Sequence, residues 1–262
     1  MDKNSRDLSE PVQEAVSYPN QVSNKSIIEV KDLRKVYRVG KQAVFALNSV
    51  SFSINKGEFC AIVGTSGSGK STLLNLLAGL EPASKGSIRI NNVLTSRLSE
   101  KELVEFRRKY VGFIFQSFNL IASMTAWENV ALPLLFRGVS ESRRKRAAIQ
   151  MLNRLGLKDH IMHKPSELSG GQQQRVGIAR ALVVKPAIVF ADEPTGNLDS
   201  VTSREIMGLL QEISQENQQT LIMVTHDNSI AAYADRIFRI SDGKIIGIEK
   251  GTKQNESFKK AE

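Results

Sequence analysis

The octapeptide Gly64-Thr65-Ser66-Gly67-Ser68-Gly69-Lys70-Ser71 constrains this 262-residue chain more than any other feature, because its spacing, G-x-x-x-x-G-K-S, works only between a strand and a helix. Both flanks are present. Residues 59–63 form a short continuous apolar run, as in a buried parallel strand, and residues 71–78 carry helical spacing that Gly79 can end. The glycines let backbone N–H groups surround phosphate oxygens, and the helix N-terminus adds a favourable dipole. Lys70 then places a cation on the terminal phosphates, and Ser71 offers a hydroxyl to magnesium. Further apolar runs at 111–115, 187–191 and 221–225, separated by helical patterns, predict a parallel sheet covered by helices.

The remaining pattern predicts a mixed α/β fold in one domain over residues 27–251, between a flexible leader (1–26) and a polar tail (252–262). Residues 27–30 and the alternating 49–54 read as half-buried strands, and residues 237–240 and 244–248 flank an Asp242-Gly243 turn as an antiparallel pair. Residues 97–170 hold few strand signals. They hold three pairs at reciprocal capping spacing, Ser99 with Glu102, Thr125 with Glu128 and Ser169 with Gln172, which predicts a helical insertion between two halves of the sheet. No motif occurs twice, so one nucleotide cassette is expected.

Composition narrows the function classes. With 41% hydrophobic and 24% charged residues the chain is an ordinary globular one, and no apolar run approaches the roughly 18 to 20 residues that span a bilayer. The polar first 26 residues show no secretory pattern. The single cysteine, Cys60, has apolar neighbours; it reads as a core strand residue, forms no intramolecular disulfide and suits a reducing cytoplasm. The net charge of +9 raises nucleic acid or an anionic membrane as partners. Residues 97–164 hold 13 Lys and Arg against 6 Asp and Glu, so most of the excess is local, either a docking face or the solvated face of a helix carrying Arg143, Arg144, Lys145 and Arg146. Aromatic and basic residues do not interleave as base-stacking surfaces require, and no nucleic-acid partner is expected.

A second anchor follows the loop. The apolar run 187–191 ends in Asp192, placed to hold magnesium through its water shell, and Glu193 follows, placed to take a proton from attacking water. Leu168-Ser169-Gly170-Gly171-Gln172 opens another helix whose Ser169 can cap it while the glycines leave its N–H groups approachable by an outside phosphate. Together these three features resemble ABC transporter ATPases over about residues 27–250. The resemblance implies the ABC version of the P-loop NTPase fold: a mixed, largely parallel core sheet, an antiparallel β subdomain and an inserted helical subdomain.

The resemblance also implies a shared active site, with two cassettes facing head to tail and each ATP lying between the phosphate loop of one and the signature of the other. Ser169, Gly170, Gly171 and Gln172 match the signature that touches the γ-phosphate in the partner's site. Residues 64–71 and Thr72 match the loop and helix start that hold the nucleotide. Gln116 matches the glutamine that contacts magnesium and the lytic water and senses the transmembrane partner, and His226 matches the switch histidine on the γ-phosphate. Asp199 matches the loop aspartate that crosses the dimer interface, and Tyr37 the aromatic that stacks on adenine. No motif residue departs from the pattern, so hydrolysis is expected; His160 and His163 match nothing and are expected at the surface.

The strings Phe115-Gln116-Ser117-Phe118-Asn119-Leu120 and Ala191-Asp192-Glu193-Pro194-Thr195-Gly196-Asn197-Leu198-Asp199-Ser200 resemble the macrolide-exporter and lipoprotein-releasing group. That implies a separate permease chain docked near residues 116–133, an ATP-dependent homodimer at the cytoplasmic face of the membrane, and room for an extracytoplasmic adaptor. Alternatives are a regulator of cell-wall enzymes in division and a soluble ATPase acting on nucleic acid or ribosomes.

Overall fold

The computed structural model describes residues 26–40 and 42–251; the expected tail, and the expected leader apart from Ser26, lie outside them. In chain order the strands are β1 (Ser26–Val39), β2 (Gln42–Asn55), β3 (Phe59–Val63), β4 (Lys85–Ile90), β5 (Val93–Leu94), β6 (Val111–Ile114), β7 (Ile188–Asp192), β8 (Thr220–Thr225), β9 (Arg236–Ser241) and β10 (Lys244–Lys250). The helices are α1 (Lys70–Leu77), α2 (Glu100–Tyr110), α3 (Ala126–Phe136), α4 (Glu141–Arg154), α5 (Gly170–Leu182), α6 (Ser200–Asn217) and α7 (Asn228–Ala231).

Two sheets result. One is antiparallel in the order β2-β1-β4-β5; the other runs β10-β9-β3-β8-β7-β6 and is parallel except for β9 with β10. Strands β3 and β8 are buried along their whole length, as parallel strands with covered faces must be. The period of two divides their side chains. Cys60 and Ile62 point with Ile222 and Val224 into a core shared with Leu73 and Leu77 of α1 and Ile28 and Ile54 of the antiparallel sheet. Ala61 and Val63 point with Leu221 and Met223 into a core shared with Val176 of α5 and Ile206 of α6.

All three capping pairs read from the sequence are reciprocal capping boxes, at the starts of α2, α3 and α5. Within the stretch 97–170 the strand expected at 111–115 forms as β6 and pairs with β7 inside the core sheet, so the uninterrupted insertion begins after it. There α3 and α4 pack on α5, and the buried Asn129 pins the loop before α3 by accepting from Ile121 N–H and donating to the carbonyls of Ile121, Met124 and Thr125. β1 and β2 run well beyond the short strands expected at 27–30 and 49–54, because their pairing shifts register at several points. Asp32 and Ser49 sit in the left-handed region, and each irregularity exchanges the faces, so alternation fails where the strands continue.

Candidate functional site

β3, β7 and β8 end level with one another, Val63 opposite Thr225 and Asp192 opposite Val224, so the segments after Val63, Asp192 and Thr225 meet at one edge of the sheet. The phosphate loop leaves β3 there. Its glycines are sterically required: a Cβ at Gly64 would lie 2.3 Å from the Ile240 carbonyl oxygen, and Gly69, at φ +101°, would meet the Ala46 carbonyl at 2.4 Å. Lys70 is buried and donates from Nζ to the Thr65 carbonyl at 2.8 Å, inside its own loop.

Ser71 Oγ donates to Asp192 Oδ1 at 3.3 Å. Burial holds the Asp192 carboxyl above the usual carboxylate range; the neighbouring Glu193 charge adds to this, while the Ser71 hydrogen bond and Lys70 act against it. Glu193 itself has φ +44°, fixed by its N–H donating to Val224 O at 3.0 Å and its carbonyl accepting from Gly196 N at 3.0 Å. That turn aims its carboxylate at His226, whose Nδ1 lies 3.1 Å from Glu193 Oε1. An open cavity of about 820 Å³ is lined by Gly64, Thr65 and Lys70 of the loop together with Glu193, His226 and Asn228.

The expected residues therefore divide. Gly64, Thr65, Ser66, Gly67, Gly69, Lys70, Ser71, Thr72, Glu193 and His226 line the cavity. Ser68 is buried beneath the loop, and Asp192 stands behind Ser71. Gln116 follows β6 with its amide against Gly196: a Cβ there would lie 2.8 Å from Gln116 Nε2 and 3.2 Å from Glu193 Oε2, which places the two side chains side by side. Tyr37 does not line the cavity; its hydroxyl donates to Glu81 Oε2 at 2.6 Å and Lys35 Nζ lies 4.9 Å over its ring. Burial and the Glu81 carboxylate raise its phenol above the ordinary range.

Ser169, Gly170, Gly171, Gln172 and Asp199 do not line the cavity either, and they adjoin one another. Ser169 accepts from Gln172 N–H while Gln172 Oε1 accepts from Ser169 N–H, which caps α5. A Cβ on Gly171 would lie 2.7 Å from Thr202 Cγ2, and Thr202 Oγ1 donates to Asp199 Oδ2 at 2.6 Å. Asp199 caps α6, accepting from the N–H groups of Val201 and Thr202; the Thr202 hydroxyl first, and then these backbone bonds, hold its carboxyl below the usual range.

Several positioning side chains escaped sequence reasoning. Arg180 of α5 donates to the carbonyls of Phe118, at 2.7 Å, and Asn119, both left-handed, and so fixes the loop after Gln116. The buried Gln174 donates to the carbonyl of Pro194, next to Glu193. Arg239 lines the cavity. His160, expected at the surface, is half-buried with Nε2 3.0 Å from Gln172 Nε2, and His163, also half-buried, packs against its ring. The bonds of Arg180 and Gln174 join residues far apart in the chain; the one available signal was that both share a helix with the signature.

The model of the ABC transporter family matches residues 47–196. The ABC transporter ATP-binding protein YtrE of Bacillus subtilis is 46% identical over 225 residues, 84% of this chain and 97% of that protein. The macrolide export ATP-binding/permease protein MacB of a Shewanella strain is 47% identical over 228 residues, 87% of this chain but 35% of its own length. Among solved structures, the cassette MJ0796 of Methanocaldococcus jannaschii, dimeric in a post-hydrolysis state with ADP and Pi, superposes with a TM-score of 0.80 at 43% identity, covering 85% of this chain and 98% of that one.

Proposed function

The chain belongs to the ABC transporter family, and from that premise we propose that it is the ATP-binding and ATP-hydrolysing subunit of an export or extraction system, closing as a homodimer on ATP to drive a separate transmembrane permease. One observation carries the assignment of residues. The phosphate loop and the Glu193–His226 pair line one cavity, whereas the signature and Asp199 form a joined surface outside it. That division suits a site completed by a second copy, whose Ser169, Gly170, Gly171 and Gln172 would supply the missing wall.

Within the cavity, the loop backbone cradles the phosphates and Lys70 turns its ammonium from Thr65 to the terminal ones. The Ser71 hydroxyl and Asp192 carboxylate, already 3.3 Å apart, are hard oxygen donors that would hold Mg²⁺, and the Gln116 amide oxygen would join them. Magnesium, when bound, neutralises charge on the phosphate oxygens. Glu193 takes the proton of the attacking water, and His226 both orients that carboxylate and holds the γ-phosphate. Thr72 lines the cavity beside the loop, Tyr37 lies outside it and would meet the adenine at its margin, and Asp199 reaches the partner.

Residues 27–251 act as a single ATPase domain at the cytoplasmic face of a membrane, with the helical insertion near residues 116–133 as the surface for the permease; no helix among the described residues is long and apolar enough to cross a bilayer itself. An extracytoplasmic adaptor joins on the permease side.

The test is Glu193→Gln. With saturating ATP and Mg²⁺, phosphate release should fall by roughly a hundredfold or more, and the protein should elute as a dimer that reverts to monomer when nucleotide is removed. A variant that stays monomeric with ATP overturns the dimer-switch reading.

A further inference from the structure

Two permanent cations line the cavity among the described residues, Lys70 and Arg239, and nothing above uses the second. Arg239 stands on β9, where its register with Val63 sets its backbone level with the last residue before the phosphate loop. Its side chain is held in place. Nε and Nη2 donate to the two carboxylate oxygens of Glu249 at 2.7 and 3.2 Å, and Nη1 donates to Asn228 Oδ1 at 3.2 Å. Those bonds use about three of the five N–H donors a guanidinium carries.

Asn228 lies two residues beyond His226, and His226 is paired with Glu193. The bond to Asn228 therefore ties the guanidinium to the segment that follows the switch histidine, at the same cavity as the phosphate loop. An ion pair as exposed as Arg239 with Glu249 adds little to stability. A guanidinium with donors to spare is well matched to phosphate oxygens.

We propose that Arg239 is a phosphate-binding residue of this site, contacting the terminal phosphate of a nucleoside triphosphate and making the cavity prefer the triphosphate to the diphosphate. The proposal rests on the nucleotide-site reading above. Glu249 acts through Arg239 as a positioning residue.

The test measures ATP and ADP affinity by calorimetry, with Mg²⁺, in the Glu193→Gln protein alone and combined with Arg239→Ala, Arg239→Lys or Glu249→Gln, at a protein concentration low enough that light scattering still reports monomer with saturating ATP. Arg239→Ala should weaken ATP binding about tenfold, equivalent to about 1.4 kcal/mol, and leave ADP binding within about twofold. Arg239→Lys should recover part of the loss, and Glu249→Gln, which keeps the cation but loosens its seat, should fall between. Equal losses for ATP and ADP, or no loss for either, overturn the proposal while leaving the site reading intact. Failure of the Glu193→Gln parent to bind ATP overturns the site reading, and the proposal with it.

Discussion

Gly196→Ala should separate catalysis from folding in this protein. The new Cβ would lie 2.8 Å from Gln116 Nε2, about 0.6 Å inside ordinary van der Waals contact, and 3.2 Å from Glu193 Oε2. Gly196 does not occupy the left-handed region, so alanine brings no backbone strain there. The nearest obstacle is the end of a flexible side chain, which can move. The expected cost to stability is therefore under about 1 kcal/mol, a melting shift of roughly 2–4 °C at most for a domain of this size. The cost to chemistry is larger, because the displaced amide is the one assigned to magnesium and the lytic water, and misplacement by about 1 Å costs on the order of a hundredfold. We expect kcat to fall between about tenfold and a hundredfold with ATP affinity within about twofold. Phosphate release at saturating Mg-ATP gives the first number and calorimetry the second. The double variant Gln116→Ala with Gly196→Ala supplies the control: with the amide gone, the alanine should add only what its 3.2 Å approach to Glu193 Oε2 costs, well under the loss seen in the single variant. A kcat unchanged by Gly196→Ala, or a full additive loss in the Gln116→Ala background, refutes the argument.

Two further expectations follow from local geometry. Thr125→Ala removes the hydroxyl that accepts from Glu128 N–H at the start of α3 and should destabilise by about 1 kcal/mol, read as a drop of roughly 2–4 °C in melting temperature; no shift would mean that the capping box contributes nothing. Burial and Glu193 keep the Asp192 carboxyl protonated to higher pH in the folded chain than in the unfolded one. Its contribution to stability is thus present below the ordinary carboxylate range and lost as pH rises through the raised value, so denaturation midpoints of Asp192→Asn should fall less than those of the parent over that rise, and parallel curves would contradict the shift.

Much of the fold was legible because its signals are local. An apolar run of about five residues, a Ser or Thr three residues before Glu or Gln, and a glycine loop between strand and helix each act over one turn of chain, and all three capping boxes and the strands at 59–63 and 221–225 appear where those signals stand. The long strands β1 and β2 were only partly legible, because register shifts break the alternation on which a strand is read. The site was legible as a set of motifs and illegible as an arrangement. Nothing near Arg180 says that its guanidinium ends on Phe118, sixty-two residues earlier, or that Gln174 supports Pro194. The pairing of Arg239 with Asn228 and Glu249 depends on β9 meeting β3 and β10, which is topology and not pattern. His160 shows the opposite failure: it matched no motif, yet it abuts the signature through Gln172.

Cys60 stands in β3 with none of its surface open to solvent, and burial pushes its thiol well above the usual range. It is the chain's only cysteine. A thiol-directed dye therefore finds the natural protein unreactive, and a cysteine introduced at the exposed Ser142 of α4, away from the signature and Asp199, becomes a unique attachment point without any prior engineering. Energy transfer between dyes on two such chains would follow the approach of copies in real time, with the folded core serving as its own protecting group.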